Sequence, residues 1–302
     1  MQPEIVSHKG SADKPAVILI HGLGMDKDIW VNPMGSRILG GMFPLRTLLK
    51  KRYPLIEQGE GITTLFDDLR GRDYTVITWS QERPAGPIGS AVAELHEIIK
   101  LAVTMTGHRI ILVGHSRGGL IARKYISENH DLIRGLVTIS TPHKGSSIAK
   151  ISGYLFPFVS LISPLIPTGD KGSLTSAVKR ILDFLKSRAL KELLPESNFF
   201  RSLNDRPLEN IYYASVGGTN PTLINLHNIP IPDIFERVMP SDLYPEELKE
   251  GKGDGLVSAE SSRLPWGQEH HNFDFNHAEI LFDEGVRGIL LRMVENISSS
   301  AG

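Results

Sequence analysis

Residues 109–118 read Arg-Ile-Ile-Leu-Val-Gly-His-Ser-Arg-Gly, and residues 119–125 continue as Gly-Leu-Ile-Ala-Arg-Lys-Tyr. The continuous apolar run in 109–113 is the pattern of a strand covered on both faces of a parallel sheet. Leu120, Ile121 and Tyr125 then fall at helical spacing. A serine at the tip of a sharp strand-to-helix turn projects its Oγ clear of the backbone. Its crowded φ/ψ is tolerated where the residues two positions away lack side chains, and Gly114 and Gly118 stand there. The helix behind aims its first N–H groups and positive dipole end at the same point, which favours a developing negative charge. The plain alternative is a glycine-rich turn carrying an inert serine. The strand before and the helix after separate the two readings, and both patterns are present.

Outward from this turn, the apolar runs 16–20, 74–79 and 136–140 read as further buried strands, and 211–216 as a fifth after a long gap. Val92, Leu95, Ile98, Ile99, Ala102 and Val103 share a helical face that Gly107 is placed to stop. Strands alternating with such helices predict a doubly wound, mostly parallel α/β sheet. The stretch 147–210 interrupts that alternation and is expected to form an inserted helical cap or lid between two parts of one core, 1–146 and 211–302. Within it Val178, Ile181, Leu182, Leu185, Leu190, Leu193 and Leu194 make an apolar stripe, with Lys179, Arg180, Lys186, Arg188 and Lys191 on much of the remainder. A second excursion, 219–250, carries Pro221, Pro230, Pro232, Pro240 and Pro245 and reads as loop. The tail 298–302 is expected to fray.

The chain has 302 residues, 40% hydrophobic and 22% charged, with a formal net charge of -1. These values suit a globular domain with a sizeable core and offer no single-sign field to attract nucleic acid or an anionic membrane. Cysteine is absent from the sequence, which excludes disulfides, thiolate metal sites and a cysteine nucleophile together. The polar start, 1–14, lacks the apolar core of a secretory signal, so a cytoplasmic location is the expectation. The apolar run 151–166 is broken by Pro157 and Pro164 and is shorter than the roughly 18–20 residues a membrane span needs.

A serine nucleophile needs a base, an acid and an oxyanion site. His21-Gly22-Leu23-Gly24 directly follows the first strand, where its glycines allow close approach and the N–H of Leu23 is best placed as a donor. The second donor would be the N–H of Arg117. His277, in a loop near the end of the chain, suits the base in the order serine, acid, histidine. It is followed by a periodic helix containing Ile280, Leu281, Val286, Ile289, Leu290 and Met293. His270 and His271 are rivals, although their Gln-Glu-His-His-Asn setting reads as exposed polar loop. Asp254, in Gly253-Asp254-Gly255-Leu256-Val257-Ser258, is the outstanding acid. Spacing alone leaves it equally readable as a β-turn aspartate bonded to its own backbone.

Taken in order, His21–Gly24, the motif 114–119, Ser140-Thr141-Pro142-His143-Lys144-Gly145-Ser146, the motif 253–258 and Asn276-His277 resemble the bacterial triacylglycerol lipase and esterase branch of the α/β-hydrolases. The resemblance runs from about residue 15 to 295 and leaves the cap and the proline-rich excursion unmatched. It implies the α/β-hydrolase fold, Ser116, Asp254 and His277 as triad, and Leu23 and Arg117 as oxyanion-hole donors. His143 would then line the active-site wall. Arg117 departs from the Gln, Met or Leu often found there, and its side chain is expected to turn away into a salt bridge. No cofactor is expected. Some members of the branch bind a structural calcium near the acid and histidine. Asp233 and Glu279 are the available oxygen ligands here, but the spacing around them does not match, and Glu279 reads more simply as a carboxylate at a helix N-terminus.

The expected function is hydrolysis of carboxylic esters with a hydrophobic acyl chain through an acyl-enzyme, with transient lipid-interface contact through the cap. A thioesterase or acyltransferase would use the same triad with another leaving group or acceptor. A non-catalytic binding protein of this fold would have no need of the intact set. Acyl-chain length, stereoselectivity and oligomeric state are not legible in the sequence.

Overall fold

The computed structural model describes residues 4–38, 41–42, 61–107, 109–150, 187–223, 225–226, 229–230, 236 and 244–299. Seven strands build one sheet: β1 (Ile5–His8), β2 (Ala16–Ile20), β3 (Val76–Trp79), β4 (Ile110–His115), β5 (Ile133–Ile139), β6 (Tyr212–Gly218) and β7 (Glu269–Phe273). Their order across the sheet is β1-β3-β2-β4-β5-β6-β7. Only β1 runs antiparallel to its neighbour, pairing Ile5 with Trp79; the rest are parallel. The chain winds outward from β2 to β3 and then returns to place β4 on the other side of β2. Ligand crevices form at such a reversal, beyond the carboxyl ends of the strands.

The period of two along a strand explains why the central runs are apolar throughout. Val17 and Leu19 of β2, with Ile111 and Val113 of β4, pack on one face against α1 (Leu65–Gly71) and the last helix (Glu284–Ser299). Ala16, Ile18 and Ile20, with Ile110 and Leu112, pack on the other against α2 (Ile88–Thr106) and α3 (Arg117–Glu128). Each such aliphatic side chain contributes about 1.5–3 kcal/mol by burial. The helices are stopped and capped as their sequences suggest. Gly107 takes φ +86° and closes α2 through its N–H to the Val103 carbonyl at 3.0 Å. Thr64 and Asp67 form a reciprocal capping box at the start of α1.

The five expected strands are present with ends shifted by at most three residues, and two more in this sheet were not foreseen. β1 and β7 lie at the edges, where one flank lacks a partner strand and side chains stay half exposed, so neither carries the apolar run of a central strand. The doublet His270-His271 is therefore strand and not loop. Ile280 and Leu281 belong to a separate 3-10 turn, Glu279–Leu281, and the final helix begins only at Glu284. Of the expected cap, 151–186 lies outside the described residues, as do Asp233, most of 224–243 and the extreme tail. What is described at the cap's downstream end is α4 (Arg188–Glu192), whose Leu190 packs with Leu193 into the second core cluster. No described helix is long and apolar enough to cross a membrane.

Both long departures from the sheet are pinched at their necks. The Ser146 N–H donates to the Leu193 carbonyl at 2.8 Å, and the Gly251 N–H donates to the Thr219 carbonyl at 2.9 Å. The two necks also meet: Ser146 Oγ donates to the Leu256 carbonyl at 2.8 Å, and the Ser147 N–H to Glu247 Oε1 at 2.6 Å.

Candidate active site

Ser116 stands between β4 and α3 at φ 54° and ψ -126°, a left-handed conformation that a residue with a side chain rarely adopts. The neighbouring glycines are sterically required. A Cβ on Gly118 would lie 2.3 Å from the Ile20 carbonyl oxygen, and one on Gly114 would lie 2.4 Å from the Gly119 nitrogen. The turn is held from the next strand by the Ser116 N–H, which donates to the Ile139 carbonyl at 2.8 Å. Arg117 is the first residue of α3, so its N–H has no intrahelical acceptor.

Asp254 and His277 come together from the segments that follow the sheet's last two strands, β6 and β7. The chain leaves β6, makes the 219–250 excursion, and returns Asp254 to the strand's end. Gly218 has no side chain there because its Cβ would fall 2.7 Å from that of Asp254. One carboxylate oxygen, Oδ1, accepts from the N–H groups of Leu256 and Val257 at 3.0 and 2.8 Å. The other, Oδ2, lies 2.8 Å from His277 Nδ1, and both side chains are buried. The turn reading and the partner reading of Asp254 are thus realised in one residue by its two oxygens. A carboxylate facing Nδ1 selects the Nδ1–H tautomer and leaves Nε2 with a lone pair.

His277 is fixed on three sides. Its N–H donates to the Asp254 carbonyl at 3.0 Å, and its own carbonyl accepts from His115 Nε2 at 3.1 Å. The two imidazoles lie 4.8 Å apart between centroids, tilted by 47°. Asn276 caps the turn that follows, its Oδ1 accepting from the N–H groups of Ala278 and Glu279 while its Nδ2 donates to the Thr222 carbonyl. His115 is fully enclosed, and burial, with His277 beside it, holds its pKa well below the usual histidine value. Among the described residues no hydrogen bond joins Ser116 Oγ to the His277 ring. Contacts of this kind commonly tighten only around bound substrate.

The loop 21–24 lies against the serine: a Cβ on Gly22 would come within 3.1 Å of both Ser116 Cβ and His115 Nδ1. His21 is buried and neutral, its pKa lowered to about 4 chiefly by burial. Its Nε2 accepts the Gln81 N–H at 3.1 Å, so the proton sits on Nδ1 and is donated to the Gly22 carbonyl at 3.0 Å. That carbonyl shares a planar trans peptide with the N–H of Leu23, and the two point in opposite directions. Holding the carbonyl on the His21 side therefore turns the Leu23 N–H the other way. Gly24, at φ +72°, is tied by its N–H to the Pro84 carbonyl at 2.9 Å.

The rival histidines are occupied elsewhere. His270 Nδ1 meets Ser215 Oγ at 2.8 Å and its Nε2 meets Asn272, while His271 pairs with Glu269 at 2.7 Å. His143 has both ring nitrogens engaged, Nδ1 by Arg123 at 3.1 Å and Nε2 by Thr138 at 2.9 Å, so it is a buried strut and not a wall with a free edge. Burial, and Arg123 after it, keep it neutral well below the usual value. The Arg117 side chain does turn away, but no salt bridge receives it among the described residues. It donates to Gln81 Oε1 and to the carbonyls of Pro84 and Gly86 at 2.9, 3.3 and 2.6 Å. Sequence reasoning missed Gln81 and the His115 contact, whose partners lie far along the chain, and it quoted Asn276 without its capping role. No group of three or more His, Asp or Glu among the described residues is arranged to hold a metal ion.

A doubly wound sheet, a glycine-framed serine after its central strand and a buried histidine–aspartate pair beyond its last strands define the α/β-hydrolase class. The chain belongs to the alpha/beta hydrolase family, whose model matches residues 17–252. That match includes the serine turn and stops short of Asp254 and His277. A triacylglycerol lipase of Pseudarthrobacter phenanthrenivorans is 31% identical over 103 residues, 34% of this chain and 30% of that protein. A triacylglycerol lipase of Burkholderia plantarii is 31% identical over 103 residues, 34% of this chain and 26% of that protein. The match thus spans less than a third of these relatives' length. Among solved structures, a Bacillus licheniformis lipase in its propeptide form superimposes with a TM-score of 0.59 at 15% identity, covering 97% of this chain and 54% of that one. Its mature form gives 0.54 at 15% identity over 97% and 99%. At such identities the structural likeness speaks for the fold.

Proposed function

We propose that the chain is a serine hydrolase that cleaves carboxylic esters with a hydrophobic acyl chain through an acyl-enzyme. The observation that carries this reading is the buried Asp254–His277 hydrogen bond of 2.8 Å beside a serine held at φ 54°. In the reaction Ser116 Oγ attacks the ester carbonyl while His277 Nε2 takes its proton. Asp254 keeps the proton on Nδ1 and stabilises the imidazolium without being protonated itself. The N–H groups of Leu23 and Arg117 receive the oxyanion, each donor of this kind being worth roughly 2.7–4 kcal/mol. His277 returns the proton to the leaving alcohol, which departs as the acyl-serine ester forms. Water then repeats the sequence and releases the acid. The triacylglycerol lipases that share 103 residues with this chain support the choice of ester, and the apolar composition of 151–166 supports a hydrophobic acyl group and contact with a lipid interface.

The test is a rate profile over p-nitrophenyl esters from short to long acyl chains, below and above micelle formation, with Ser116→Ala in parallel. Turnover that survives Ser116→Ala sinks the reading. A rate jump on aggregated substrate assigns a lipase, and saturation below it an esterase.

A further inference from the structure

The reaction proposed above uses only the main chain of Arg117, yet its side chain is the most costly group to bury near the site. It is wholly enclosed, and burial pushes the guanidinium down to about 10, so it is charged at neutral pH. Glu192 and Glu94 favour that charge from a distance, but among the described residues every hydrogen-bond acceptor it has is neutral. A buried cation held by neutral acceptors alone is costly against an apolar side chain of similar size.

The acceptors explain what the charge accomplishes. The Pro84 carbonyl that receives Arg117 Nη1 also receives the Gly24 N–H. Gln81, whose Oε1 receives the same Nη1, donates its main-chain N–H to His21 Nε2 and its Nε2 to the His21 carbonyl at 3.3 Å. The guanidinium thus grips the segment 81–86, and that segment grips the loop 21–24 at both ends. Arg117 offers one oxyanion donor from its backbone and, through its side chain, reaches the loop that offers the other.

We propose that the Arg117 side chain, acting through Gln81 and Pro84, is a positioning residue that sets the spacing between the two oxyanion donors. This rests on the ester-hydrolase reading above. Oxyanion donors work at 2.7–3.1 Å from the charged oxygen, and a misplacement of about 1 Å costs on the order of 10²-fold.

The test compares wild type, Arg117→Met, Arg117→Lys, Gln81→Leu and the double variant Arg117→Met/Gln81→Leu on p-nitrophenyl butyrate. Binding of an alkyl trifluoromethyl ketone, which forms a tetrahedral oxyanion on the serine, is measured beside binding of the matching alkyl amide, which does not. The expected result is a roughly 10–100-fold fall in kcat for Arg117→Met with KM within about threefold. The ketone should weaken by the same factor, the amide should bind unchanged, and Arg117→Lys should recover part of the loss. The double variant should be no worse than the poorer single one, because both break one chain of contacts. A folded Arg117→Met with wild-type kcat, or with a loss in KM and undiminished ketone affinity, overturns the proposal. If Arg117→Met does not fold, Gln81→Leu decides by the same readouts. A wild-type chain without ester turnover, or with turnover indifferent to Ser116→Ala, overturns the ester-hydrolase reading first.

Discussion

The donor side of the site grows directly from β2 and β4, two central strands, so His21–Gly24 and Ser116–Arg117 are placed within a few residues of buried backbone. Asp254 and His277, the proposed acid and base, lie instead on loops beyond β6 and β7, at the margin of the sheet, and Asp254 follows the excursion 219–250. The first side is set by sterics: glycines where a Cβ would meet backbone at 2.3–2.4 Å. The second combines the same exclusion, at Gly218 and Gly253 where a Cβ would meet backbone at 2.4 Å, with polar contacts, Asp254 and Asn276 each binding two N–H groups of the turn they begin. Central strands position chemistry mainly by exclusion, and marginal loops add hydrogen bonding to it.

The comparison predicts where each side breaks. Ser116→Ala should lower ester turnover by roughly 10⁴–10⁶-fold with little change in melting temperature, since Oγ supports nothing structural. His277→Ala should approach the same loss, whereas His270→Ala, which disturbs only Ser215 and Asn272, should stay within about threefold. Equal losses from the two histidine variants would remove His277 as the base. Asp254→Asn should cost about 10⁴-fold in kcat, because the retained Oδ1 keeps the turn while the new amide N–H faces His277 Nδ1 and imposes the wrong tautomer. Circular dichroism should show that fold intact; a collapse would mean that turn and pairing are not separable.

A smaller effect should follow from Asn276→Ala. It strands two N–H groups and the Thr222 carbonyl, and should destabilise the chain by about 1–3 kcal/mol in urea titration while lowering kcat about tenfold. Stability against pH probes the enclosed histidines. His21, His115 and His143 have folded pKa values below the ordinary 6.5, so the unfolded chain binds protons that the native one refuses. Their contribution is fully present above 6.5 and is lost as pH falls, for His21 down to about 4. Three such groups give a slope approaching about 4 kcal/mol per pH unit. Glu247, pushed up by burial, opposes them with at most one proton. Urea midpoints between pH 7.5 and 5 should fall accordingly, and His143→Gln should flatten the slope by about a third. A flat profile would show that these rings are not neutral in the fold.

What was legible in the sequence follows the same division. β2, β4 and the serine turn could be read because burial on both faces forces continuous apolar runs and glycines at fixed offsets. Edge strand β7 could not, since Glu-His-His-Asn-Phe meets no such demand and is a strand only through its pairing with β6. The 253–258 motif located Asp254 but left its role undivided, because an aspartate that ends a turn and one that orients a histidine have the same local sequence. Gln81 carried no signal at all. Its importance lies in contacts to His21 and Arg117, sixty and thirty-six positions away.

The pinched necks give the molecule a modular character. Thr219 and Gly251 are joined by one hydrogen bond, and Ser146 and Leu193 by another, so each departure is closed at its ends, while Leu190 and Glu247 tie it to the rest of the molecule. Loop-closure entropy grows only logarithmically with length, so lengthening such a segment between its closed ends costs little. Asp254 itself is anchored independently of that length, by the Gly251–Thr219 bond before it and by the N–H groups of Leu256 and Val257 after it.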